Sequence, residues 1–320
     1  MVRPTRVIAL EEHYYDDELA RLFPGANSSM RGTELGQRLY DVDALRLREM
    51  DEAGIDMQVL SHGAPATQRL DAQTAIRVAR SVNDRLAETV RSNPSRFAAF
   101  AALPTPDPRA AADELERTVT KLGFKGAMIH GLTNGVFFDD KRFWPICERA
   151  EALDVPIYLH PAIPHPDVVK VYYQDYLKEH PGLLTAAWGF TVETATQGIR
   201  MVLSGVFEAY PRLKCILGHL GESLPFSLWR INQALSRPKP MRTSFRDVFC
   251  EHFWITTSGN FSTPALLCSM MEIGVDRILF SVDYPFEHSV QGLQWMKEVH
   301  LSEEDRAKIL NGNASRLLKL

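Results

Sequence analysis

Short apolar runs, several of them apolar at consecutive positions, alternate along this chain with longer stretches whose apolar residues recur at helical spacing. A run with no polar face is what a strand covered on both sides requires, so the short runs read as buried parallel strands. They are Val7-Ile8-Ala9-Leu10, Met57 to Ser61, Phe97 to Leu103, Phe124 to Ile129, Val155 to Leu159, Leu213 to Gly218, Phe253 to Thr257, and the run from Ile278 that ends at Asp283. Between them the spacing predicts helices over Val42 to Ala53, about Ala72 to Ser92, Asp107 or Pro108 to Lys121, Phe143 to Leu153, about Thr191 to Ala209, Glu222 to Leu235 and Thr263 to Ile273. Gly54 punctuates the first helix, and Pro104 and Pro106 stop the third strand. A polar excursion reaches about Tyr40, and the tail from Ser302 to Leu320 reads as two short helices. The stretch from Pro161 to about Leu184 is the longest irregular segment, and its length suits a subunit contact or an active-site wall.

Eight strand-then-helix units, at about 40 residues each, match a single (β/α)8 barrel spanning residues 1–320, with no second domain. A doubly wound open sheet is the alternative fold. It is disfavoured because no Gly-x-Gly-x-x-Gly turn follows the first strand.

Composition narrows the function. With 320 residues, 45% hydrophobic, 24% charged and net charge -4, the chain can bury a large core. No Lys/Arg cluster predicts nucleic-acid binding, and no apolar run has the length of a membrane span. Arg3-Pro4-Thr5-Arg6 leads straight into a strand without a signal-peptide core, so a cytoplasmic location is expected. Cys147, Cys215, Cys250 and Cys268 are scattered and read as reduced packing residues.

The chemistry is concentrated at strand exits. Glu11 and His13 follow the first strand two residues apart, a spacing that turns both side chains to one side of an extended chain. Alone, such a pair is as easily a surface carboxylate and a satisfied histidine. His160 closes the fifth strand, however, and Asp283 the eighth, so four ligand-type groups converge on one barrel mouth. Two carboxylates and two imidazoles suit one divalent ion, Zn2+ or Mn2+, with positions left for water or substrate. His219 closes the sixth strand and reads as a further ligand, a proton donor, or a histidine that Glu222 orients. His130 and His62 also end strands, as pocket walls or as structural residues. Arg230 on the following helix is a weaker candidate for contact with an anionic substrate.

These segments resemble a known family. Leu10-Glu11-Glu12-His13, Tyr158-Leu159-His160-Pro161, Gly218-His219-Leu220-Gly221-Glu222, Thr256 to Phe261 and Phe280 to Phe286 look like the amidohydrolase superfamily, specifically its metal-dependent, non-oxidative aryl decarboxylases. The resemblance covers essentially the whole chain, with the motifs in order. It implies Glu11, His13, His160 and Asp283 as metal ligands, His219 and Glu222 as a catalytic pair, and Phe23, Arg230 and Phe286 as substrate contacts. His130 and Ala162 stand where the resemblance implies asparagine and arginine. The implied reaction is decarboxylation of a hydroxylated aromatic carboxylate, with Asp283 protonating the ring carbon. Hydrolysis of an amide, lactone or carbon-carbon bond by metal-activated water uses the same ligands and is the alternative. A homodimer or homotetramer is expected from the Tyr-rich segment Val171 to Tyr176.

Overall fold

The computed structural model describes residues 6–23, 30–237 and 242–320. Its strands are β1 (Ile8–Tyr14), β2 (Met57–His62), β3 (Phe97–Ala99, continued as Ala101–Ala102), β4 (Ala127–His130), β5 (Ile157–His160), β6 (Cys215–Leu217), β7 (Phe253–Thr256) and β8 (Ile278–Leu279). All neighbours pair in parallel and in chain order. Expected as one strand, β3 changes partner at Phe100: the Phe100 N–H donates to the Leu60 carbonyl, and the Ala101 N–H to the Gly126 carbonyl.

The first and last strands meet through side chains as well as backbone. The His13 N–H donates to the Tyr284 carbonyl at 2.7 Å. The buried Glu12 carboxyl accepts the Val282 N–H at 3.0 Å and the Ser281 hydroxyl at 3.0 Å. Burial pushes Glu12 up to about 8, against the pull of those donors and of Arg46. The chain thus forms the (β/α)8 barrel that its pattern predicts.

Strand residues divide by parity, except across an irregularity in β1. Ile8, Leu10, Met57, Val59, Ala98, Phe100, Met128, Tyr158, Ile216 and Leu279 pack together inside the barrel. Their alternates, such as Ala9, Ala99, Ile129, Ile157 and Leu159, face the helices. A bulge in β1 breaks this parity to a purpose. Ala9 pairs with Gln58 and Glu12 with Leu60, three steps along β1 against two along β2. The extra residue turns Glu11 and His13 to the interior side already taken by Ile8 and Leu10, and Glu12 the opposite way.

Several boundaries differ from expectation for local reasons. The polar excursion before Tyr40 contains helices Asp17–Ala20 and Glu34–Tyr40, begun by Asp16 and Thr33 side chains that accept the first free N–H groups. The helix expected over Thr191 to Ala209 breaks into Gly189–Leu203 and Val206–Ala209, because Gly205 is left-handed (φ +84). The long excursion after β5 is built of short helical turns, Pro166–Val168, Val169–Tyr173, Gln174–Tyr176 and Pro181–Leu184. In the tail, helices Glu303–Ala307 and Asn313–Leu318 are joined through a wider turn, Lys308–Gly312. Ala314, Leu317 and Leu318 there close the barrel interior from below. Among the described residues no helix is long and apolar enough to cross a membrane.

Candidate metal centre and active site

β1 brings Glu11 and His13, β5 brings His160, and the segment beyond β8 brings Asp283 to one point. A single ligand atom from each lies within 4.8 Å of all the others. His160 Nε2 is 3.2 Å from Glu11 Oε1, and His13 Nε2 is 3.3 Å from Asp283 Oδ1. Glu11 Oε1, His13 Nε2 and Asp283 Oδ1 are buried yet have no hydrogen-bond partner in the protein. Unpaired buried lone pairs are costly, and here they converge. The donor set fits a divalent transition ion.

The opposite ends of Glu11, His13 and His160 are engaged by the protein. Glu11 Oε2 accepts hydrogen bonds from the Tyr158 and Ser258 hydroxyls, with Thr256 Oγ1 at 3.3 Å. His13 Nδ1 is 3.2 Å from Ser61 Oγ, its partner in the β1–β2 register. His160 Nδ1 is 2.6 Å from the Pro161 carbonyl. A carbonyl only accepts, so Nδ1 carries the proton and Nε2 keeps its lone pair toward the centre. Tyr158, Thr256, Ser258 and Ser61 were not singled out from the sequence. Their signal was there: Tyr158 lies two residues before His160, and Thr256 two before Ser258, hence on the same strand face.

Although burial acts to raise Glu11, the surrounding His219, His160 and His13 hold it well below the usual carboxylate range. Burial lowers His13, favouring its neutral, ligating form.

His219 follows β6, and its Nδ1 is 2.7 Å from Glu222 Oε1. Its Nε2 is 3.6 Å from Asp283 Oδ2. Burial disfavours a charge on His219, but Glu222, Glu11 and Asp283 outweigh it and hold the imidazole charged well above its ordinary range. The helix expected from Glu222 starts instead at Leu224, because His219, Leu220, Glu222 and Ser223 all have positive φ. Asp283 does too, at φ +73. Gly259 sits against the pair: a Cβ there would lie 3.3 Å from His219 Cδ2 and 3.4 Å from Asp283 Oδ2.

A cavity of about 480 Å³ opens over these groups, with Phe23 and Phe286 on its wall. The Phe286 ring is 5.8 Å from that of His13. Two of the expected substrate contacts are placed elsewhere. His130 is opposite His160 in the β4–β5 register and points the same way, so it stands behind that ligand, Nδ1 to Nδ1 at 2.9 Å, and does not line the cavity. Arg230 is on the solvent face of helix Leu224–Ser236, outside the cavity of its own chain. His62 is buried, bonded through Nδ1 to the Gly63 carbonyl, and lowered by burial to about 4.

The amidohydrolase family profile matches residues 20–320. The chain is 44% identical over 325 residues to the gamma-resorcylate decarboxylase of Polaromonas sp. strain JS666, covering 98% of each. A crystal structure of a dihydroxybenzoic acid decarboxylase from Polaromonas sp. JS666, with bound manganese and the inhibitor 2-nitroresorcinol, superposes with a TM-score of 0.90 at 43% identity, covering 99% of this chain and 98% of that one. The 5-carboxyvanillate decarboxylase of Sphingomonas paucimobilis superposes with a TM-score of 0.91 at 34% identity, covering 99% and 100%. With its parallel (β/α)8 barrel and its full length shared with these enzymes, the chain belongs to the amidohydrolase family, among its carboxy-lyases.

Proposed function

We propose that the protein catalyses metal-dependent, non-oxidative decarboxylation of a 2-hydroxylated aromatic carboxylate, with gamma-resorcylate as the first substrate to try. The observation that carries this reading is the division of Asp283. Its Oδ1 faces the ligand cluster, and its Oδ2 faces the charged His219.

Glu11, His13, His160 and Asp283 would hold one divalent ion, manganese or zinc, which when bound draws negative charge from the substrate's carboxylate and phenolic oxygen. The Polaromonas structure favours manganese. Asp283 delivers a proton to the ring carbon that bears the carboxylate, forming a C–H bond there. The bond from that carbon to the carboxylate then breaks, its electron pair restores the aromatic ring, and CO2 leaves. His219, held charged by Glu222, returns a proton to Asp283. Phe23 and Phe286 flank the ring and exclude water.

Hydrolysis uses the same ligands but needs water where these apolar walls leave it least welcome, and the relatives are named as decarboxylases. Incubation with gamma-resorcylate in deuterated water should yield CO2 and a product with one deuterium at the vacated carbon. Acid release from esters or amides, with no CO2 from any hydroxybenzoate, would overturn the assignment for the hydrolase.

We further place the enzyme in the cytoplasm, consistent with four unpaired cysteines, and as a homo-oligomer. The exposed Val171, Tyr172 and Tyr176 of the excursion support self-association. Light scattering of the same preparation at micromolar concentration should give a multimer, and a monomer alone would refute it.

A further inference from the structure

Glu12 is fully buried, and the bulge in β1 turns it away from the cluster that its neighbours Glu11 and His13 join. No step of the reaction uses it. Its carboxyl reaches instead across the seam between β1 and β8. β8 ends at Leu279, and beyond it Glu12 supplies the acceptors that a neighbouring strand would otherwise offer. Its Oε1 accepts the Val282 N–H at 3.0 Å and the Ser281 hydroxyl at 3.0 Å. Its Oε2 accepts the Tyr284 N–H at 3.3 Å and the Gln58 side-chain amide at 3.4 Å.

Val282 and Tyr284 flank Asp283, so one carboxyl grips the chain on both sides of that residue. Asp283 needs such a grip. Its φ of +73 is left-handed, a conformation that costs a side chain with a Cβ about 1–2 kcal/mol. The following turn holds only its carbonyl, which accepts the Phe286 and Glu287 N–H groups at 2.9 and 3.1 Å. Its Oδ1 has no hydrogen-bond partner in the protein.

Glu12 is itself fixed from behind. Gln58 Oε1 accepts from Arg46 Nη1 at 3.1 Å, which turns the Gln58 amide nitrogen toward Glu12. Arg46 is fully buried, its Nη2 donates to the His13 carbonyl at 2.6 Å, and its guanidinium lies 4.5 Å over the Tyr284 ring. The network therefore ties β1 to both residues beside Asp283.

We propose that Glu12 is a positioning residue for Asp283. By holding the flanking amides it maintains the left-handed turn that aims Oδ1 at the ligand cluster and Oδ2 at His219. Without that grip the turn relaxes and Asp283 withdraws from both. The effect on turnover rests on the proposed decarboxylation; the effect on the metal centre does not.

Glu12→Gln keeps the shape, but an amide has one acceptor oxygen, so an N–H beside Asp283 is left facing an NH2 group. Manganese affinity is read by electron paramagnetic resonance of the free ion in wild type, Glu12→Gln, Asp283→Ala and the double variant. Glu12→Gln should weaken binding about 10- to 100-fold where Asp283 is present, the range for disturbing a group that orients a ligand, and should change nothing in the Asp283→Ala chain. Equal losses in both backgrounds would overturn the proposal, because they would come through Glu11, His13 or the seam at large. Gln58→Met removes a donor from Oε2 and leaves Glu12 in place. It should give a smaller loss with the same dependence on Asp283, and it carries the test if Glu12→Gln does not fold. No loss in either variant would also overturn the proposal. In the same variants kcat for CO2 release should fall more than KM rises. No CO2 from any hydroxybenzoate, even with wild type, would defeat the decarboxylase reading while leaving the manganese comparison intact.

Discussion

Stripping the divalent ion with a chelator is expected to abolish turnover and to lower the melting temperature, with both recovering when manganese is returned. The reason lies in the unpartnered Glu11 Oε1, His13 Nε2 and Asp283 Oδ1, brought together away from water. Without a cation these lone pairs are desolvated for no return, and the ring has no electrophile beside it. An ion that binds only the folded chain stabilises it by about 2.7 kcal/mol when present at 100-fold over its Kd. Elemental analysis should find about one ion per chain, as one cluster of four ligands implies. A metal-free preparation with full activity would defeat this reading of the centre.

Asp283→Asn is expected to lose about 10²- to 10⁴-fold in kcat, the range usual for removing a general acid. The amide keeps one oxygen toward the ligand cluster and nearly the same shape. It cannot deliver a proton from the atom that faces His219. Metal content and substrate affinity should therefore fall much less than turnover. If activity tracks metal occupancy and returns in excess manganese, Asp283 is a ligand alone.

The barrel was legible because its strands are buried on both sides, and continuous apolar runs survive inspection without a partner sequence. The convergence of Glu11, His13, His160 and Asp283 was legible because they interrupt or end such runs, where a charged or ligand-type group is conspicuous. Arg230 shows where the sequence stops short: helical periodicity alone does not say which face meets the barrel, and in a single chain the arginine is exposed, away from that chain's own cavity. His130 is a different case: a strand exit places a side chain in the interior, but does not say whether it stands above or behind its neighbour, here His160. Tyr158 was hidden by its own apolarity, since a tyrosine in a buried strand reads as packing until its hydroxyl is seen on Glu11. The bulge in β1 leaves no mark of its own, because Glu11-Glu12-His13 would read the same with either carboxylate inward.

The left-handed backbone at His219, Leu220, Glu222, Ser223 and Asp283 has a consequence for how this protein can change. For side chains with a Cβ that conformation costs of order 1–2 kcal/mol per residue, and only surrounding contacts sustain it. The His219–Asp283 pair is therefore held under tension by the barrel, and substitutions that relax these turns would gain stability while letting the two side chains drift apart. Durability and turnover pull in opposite directions at this one loop. A lineage selected for robustness alone would be expected to lose its chemistry here first.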